Sequence, residues 1–159
     1  MGAPEDQQED LEALKKHVLV HVGVSLARYQ KIERGLKALL PFLVVEGRPV
    51  AHDPFAEMRE LLASKSTLGP LMERLKASVS TPDPEDLADY LETVVGHRNE
   101  LVHQFFQLPV GRLDEAEACH AAIRHLTNRL DYAQPLLDLV NAAAAAFIES
   151  AESTRGPSH

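Results

Sequence analysis

The stretch "DPEDLADYLETVVGHRNELVHQFF", Asp83 to Phe106, decides the fold. Asp83 has the side chain of a helix N-cap, Pro84 suits the first helical position, and Glu85 and Asp86 fall at the positive end of the helix dipole. Beyond them, at about 100° per residue, Leu87, Tyr90, Leu91, Val94, Leu101, Val102 and Phe105 gather into one apolar sector. Arg98 falls near the centre of that sector, where the pattern asks for leucine. A guanidinium cannot be neutralised, so it must meet a carboxylate, a cluster of carbonyl groups, or a water-filled cleft that an anion visits. Asn99 and His103, four apart, share a second face with Val95 and Phe106 beside them. Two apolar residues bracketing two polar ones suggest a contact surface. If two copies of this helix met there across a two-fold axis, both histidines and both arginines would converge on one cleft.

The same three-to-four-residue period runs through the rest of the chain. Leu11, Leu14, Val18, Val22, Ser25, Tyr29, Ile32, Leu36 and Leu39 share one face of a long first helix that Pro41 ends. Gly23 and Gly35 inside it each cost roughly 1 kcal/mol of helix propensity against alanine, which points to close packing with a neighbour. "PFLVVEGRPVAHDP" reads as a packed loop or a short β turn. Asp53-Pro54 caps a short helix with Phe55, Met58, Leu61 and Leu62 inward. Ser66 or Thr67 caps another, with Leu68, Leu71, Leu75 and Val79 as its stripe.

"QLPVGRLDE" breaks the helix of the opening stretch, and Asp114 is placed at the start of the last one. Cys119, Ile123, Leu126, Leu130, Ala133, Leu137, Val140, Ala144 and Phe147 stay in phase across Pro135, which predicts one long kinked helix rather than two. The chain is therefore expected to be all-α: a single-domain antiparallel bundle of about five helices, with long first and last members. The ends, 1–7 and 151–159, are expected to be disordered.

With 159 residues, 45% of them hydrophobic and 25% charged, the chain suits one globular domain. No apolar run reaches the roughly 18 residues of a membrane span, and "MGAPEDQQED" is unlike a signal peptide. A single cysteine, Cys119, rules out an internal disulfide and fits a reducing compartment, so a cytoplasmic location is expected. The net charge of −8 argues against a broad phosphate-binding surface. It is concentrated in Glu5, Asp6, Glu9, Asp10 and Glu12, and the segment from His97 to Arg129 is balanced. Contact with a short RNA segment stays open.

"RNELVH", Arg98 to His103, resembles the R-x(4–6)-H signature of the HEPN superfamily (higher eukaryote and prokaryote nucleotide-binding domains), including the polar residue after the arginine. A small, acidic, helical chain with the motif on a late helix, followed by "FF", fits the same family. The resemblance implies that residues 1–159 form one HEPN-like domain. It also implies a metal-independent endoribonuclease with no cofactor, working as a homodimer with a composite site. Many relatives are toxins of toxin–antitoxin, abortive-infection or CRISPR-associated systems, so an antitoxin or other regulatory protein is a candidate partner.

Carried over, His103 would be the general base that takes the ribose 2′-hydroxyl proton. Arg98 would brace the scissile phosphate, and Asn99 would orient the histidine or bind a phosphate oxygen. Cleavage would leave a 2′,3′-cyclic phosphate and a 5′-hydroxyl. Histidine titrates near 6.5 and arginine is a permanent forked donor, so the residue types suit the task. One departure matters: where a subset of the family carries a modifiable tyrosine two residues after the histidine, this chain has Phe105, which has no hydroxyl to modify. Many HEPN domains are binding modules, and a catalytically silent regulatory module with Arg98 held in a salt bridge is the alternative.

Other candidates are weaker. His17 and His21 have a spacing that can bind zinc, without a third ligand in view. His120 and His125, with Arg124 and Arg129, could flank an RNA path but read more simply as a solvated helix face. Cys119, in a stripe position, reads as a small buried hydrophobe.

Overall fold

The computed structural model describes residues 4–154. Five α-helices are joined by short turns and one two-stranded ladder: α1 Pro4–Leu39, β1 Val44–Val45, β2 Arg48–Pro49, α2 Pro54–Ala63, α3 Leu68–Ser78, α4 Pro84–His103 and α5 Ala116–Thr154. The chain is an all-α helical bundle. With 36 and 39 residues, α1 and α5 are the long members. Residues 4–7 and 151–154, expected to be disordered, are helical; 1–3 and 155–159 lie outside the described residues.

Local chemistry accounts for most boundaries. Pro41 cannot continue α1, and the chain tightens into a 3₁₀ turn at Leu40–Phe42. In the ladder Val44 pairs with Pro49 and Val45 with Arg48. Glu46 and Gly47 turn it with φ of 49° and 76°; both are left-handed, a conformation that costs glycine nothing and glutamate something. Asp53 caps α2 by accepting the Ala56 amide at 3.0 Å. Thr67 occupies the cap position of α3 without a side-chain cap bond. At α5 the Glu115 carbonyl accepts the Cys119 amide, and the helix opens at Ala116, two residues after the Asp114 suggested by the sequence. Pro135 lies inside α5, which runs on as one helix.

The chain divides into two compact units. One contains the chain up to Tyr29 with Thr93–Ala133; the other contains Gln30–Glu92 and the chain from Gln134 onward. In the first, Val18, Val94, Leu101, Phe105, Cys119 and Leu126 are buried. In the second, Ile32, Leu36, Leu71, Met72, Leu91 and Val140 are buried. Gly35 belongs to this second core and lies against Val140. Gly23 has open space around it, so close packing does not explain it.

Some residues expected inward are exposed. Phe55 and Leu62 stand out from α2, which has no buried residue; Phe55 instead meets the edge of Phe42, ring centroids 5.0 Å apart. Val79 is exposed because α3 ends at Ser78 and Val79 is already extended. Val102 and Phe147, at the margins of their stripes, are exposed as well. Among the described residues no helix is long and apolar enough to cross a membrane.

Candidate functional site

The residues singled out from the sequence lie in the first unit, on the last two turns of α4. That helix ends at His103, where Gln104 leaves helical geometry and a 3₁₀ turn at Phe105–Gln107 folds the chain back. Arg98 is half-buried, whereas Asn99 and His103 are exposed. The Arg98 Nη1 donates to Asn99 Oδ1 at 3.1 Å, which draws the guanidinium out of the apolar sector and toward the face that Asn99 shares with His103. Among the described residues Arg98 forms no ion pair with a carboxylate. The salt-bridged arginine of the alternative reading is therefore not what this structure contains.

Beside His103 lies a cavity of about 330 Å³ that Val22 and Leu26 of α1 share with the segment Leu101–Gln107. Of the three expected site residues only His103 borders it. Its wall is largely apolar, and Val102 and Phe106 on its rim are 42% and 56% exposed. Phe105, the position that lacks a tyrosine hydroxyl, is a core residue with its ring edge-on to Phe106.

A second group of polar side chains sits one helix face away. Glu100 lies inside the Arg98–His103 span and reaches across to α5. Its two oxygens lie 2.8 and 2.9 Å from Nη2 of Arg129, and Oε1 is 2.9 Å from Nε2 of His125. Arg129 Nε is in turn 2.7 Å from the same His125 nitrogen. About a quarter of each of these three side chains is exposed. His97 stands beside them, edge-on to Tyr132 with ring centroids 5.3 Å apart, and its Nδ1 is buried without a hydrogen-bond partner. Burial pushes the His97 imidazole below its ordinary value; the positive charge of Arg129 adds to that, against the opposing pull of Glu100.

This group corrects the expectation of a solvated face on α5. Arg124 is 62% exposed with only Glu117 as partner, and His120 is exposed, as a solvated face requires. His125 and Arg129 belong to a part-buried network. The available signal was their i, i+4 spacing together with an acid, Glu100, in a helix with two apolar faces. Nothing in one sequence says which acid on another helix will meet them.

His21 Nδ1 lies 3.0 Å from the carbonyl oxygen of His17, and among the described residues no group of three or more histidine, cysteine, aspartate or glutamate side chains is placed to hold a metal ion. Cys119 is a free thiol, fully buried, and burial raises its pKa. The chain matches no protein-family model, no curated protein and no solved structure.

Proposed function

We propose that the chain is a HEPN-like, metal-independent endoribonuclease in which Arg98, Asn99 and His103 act on the RNA backbone, working as a homodimer in the cytoplasm. The observation that carries this reading is the state of Arg98: a half-buried residue whose guanidinium, at an exposed contact, bonds Asn99 and pairs with no carboxylate among the described residues, on the same helix as an exposed histidine. A permanent cation without a protein anion is suited to a phosphate, for which it offers a forked pair of donors. The imidazole can take the 2′-hydroxyl proton at cellular pH, and the RNA brings its own nucleophile. Two copies related by a two-fold axis would pair these faces, with Val102 and Phe106 supplying apolar contact. A toxin or defence role, restrained by an antitoxin or other regulator, is part of the same proposal.

One observation favours a second reading, a catalytically silent HEPN-like interaction module. The cavity next to His103 is walled mostly by apolar side chains, which suit a protein partner better than a nucleotide. RNA cleavage in EDTA separates the two. The enzyme reading expects 2′,3′-cyclic phosphate ends from the wild type, no cleavage of DNA, and losses of at least about a hundredfold in His103→Ala and Arg98→Ala. Equal or absent cleavage in all three proteins would leave the interaction module.

A further inference from the structure

A groove in the second unit has walls made almost wholly of carbon. Its first part is a cavity of about 220 Å³ in which every lining residue is leucine, valine or alanine, Leu40 and Ala143 among them. Its second part, about 170 Å³, is reached by Leu87, Tyr90 and Pro135, and Tyr90 alone of its lining residues has a polar side chain. Leu75, Val79 and Leu139 border both parts, so the two adjoin. Val79 and Leu139 are 40% and 59% exposed, which leaves this shared wall open to solvent.

Helix α5 extends the apolar surface. At about 100° per residue, Pro135, Leu139, Ala142, Ala143 and Ala146 fall within one sector about 100° wide, and all five are exposed. Between Ala133 and Glu149 no polar residue falls in that sector, although a helix face turned to water ordinarily carries them. Acids stand around it. Asp83 to Glu92 holds five acids and no base. Asp83 and Asp86 lie four residues before Leu87 and Tyr90, hence beside two lining residues. Neither acid has an ion-pair partner among the described residues. On α5 the exposed Asp138 flanks Leu139. The bases of α3 are already engaged, Arg74 with Glu57, and Lys76 with Glu73 at 2.7 Å and Glu92 at 3.9 Å. The rim is therefore negative, in a chain whose net charge is −8.

We propose that this groove docks an amphipathic helix of a partner protein, with apolar side chains entering the two cavities and lysine or arginine on its flanks. Adjoining cavities suit anchors that recur along one helix face, and the three alanines of α5 leave room for a second backbone to approach. The negative rim selects basic flanks and repels acidic ones. Walls of this kind offer a nucleotide or sugar almost no polar group to bind. The inference does not rest on the ribonuclease reading, because no groove residue belongs to the Arg98–His103 segment or to the unit that holds it.

The probe is a synthetic peptide of two LKKLLKL repeats, which sorts leucine and lysine onto opposite helix faces; its counterpart has glutamate at every lysine position. Titrated into the full chain and followed by methyl NMR, the lysine peptide is expected to shift Val79, Leu139 and Ala143. It should leave Leu19 and Val24 of the first unit unmoved, although these too are exposed. The glutamate peptide should bind at least about tenfold more weakly. Leu139→Glu should weaken the lysine peptide at least about tenfold, with the urea midpoint little changed because the position is exposed. Asp86→Lys should weaken it roughly two- to fivefold, and Leu19→Glu should change nothing. Shifts centred on Leu19 and Val24, equal binding of the two peptides, or full affinity in both Leu139→Glu and Asp86→Lys would each overturn the proposal. So would self-association of the chain, or co-sedimentation with phosphatidylcholine vesicles, that Leu139→Glu abolishes, since the groove would then belong to a second copy or to lipid.

Discussion

Arg98 and Asn99 are chain neighbours whose side chains close on each other: the guanidinium donates to the amide oxygen at 3.1 Å and, among the described residues, pairs with no carboxylate. Such a cation contributes little to folding, since nothing charged is stranded when it is removed. Arg98→Leu, which restores the apolar pattern of α4, should therefore change the unfolding free energy in urea by less than about 1 kcal/mol, while abolishing the RNA cleavage proposed above. A loss of about 3 kcal/mol or more would mean that the substitution strands a buried partner.

Much of this arrangement was legible beforehand. Asp53-Pro54 and Asp83-Pro84 announce α2 and α4 through capping chemistry that needs no tertiary information. The unbroken phase of the stripe from Cys119 to Phe147 announces one helix across Pro135, although that helix runs on through 151–154, which were expected to be disordered. Arg98 stood out because it breaks a period. Periodicity assigns a residue to a face, but it does not say what the face meets. Glu100 lies 25 residues from His125 and 29 from Arg129, and their meeting depends on which turn of α4 is level with which turn of α5. The exposure of Phe55 and Val79 was hidden for a related reason: a short helix can keep its period while its end runs past the core.

Glu100 should matter for stability where Arg98 does not. Glu100→Ala removes the anion against which Arg129 and His125 pack and leaves the Arg129 guanidinium without its carboxylate. Because about a quarter of each side chain is in solvent, the cost is screened, and a loss of about 1–2 kcal/mol is expected. A double-mutant cycle with Arg129→Met should recover a coupling of at least about 0.5 kcal/mol; additive losses would show that the pair is not coupled.

Two glycines of α1 should answer the same substitution in opposite directions. An alanine methyl at position 35 would fall on the Val140 Cγ1 in the second unit's core, so Gly35→Ala must displace a buried side chain and is expected to cost about 1–3 kcal/mol. Position 23 meets nothing, and there Gly23→Ala should gain about 0.5–1 kcal/mol from helix propensity alone. Thermal melts of the two variants beside the wild type check both, and a stabilised Gly35→Ala would mean that Val140 yields easily.

His97 should make the fold sensitive to acid. Its ring is held below the ordinary value of 6.5, first by burial and then by the charge of Arg129, so the folded state resists its protonation. In the unfolded chain the same ring takes up a proton as pH falls past about 6.5. Between that value and the lower folded one, the unfolded state binds more protons, and stability must decline as pH falls. Above about 6.5 neither ring is charged and His97 imposes no slope. His97→Leu keeps an apolar neighbour for Tyr132 and removes the titration. Urea midpoints measured from about pH 7.5 to about pH 5 should therefore fall more steeply in the wild type than in the variant. Parallel slopes would show that the buried Nδ1 does not hold its ring neutral in the folded protein.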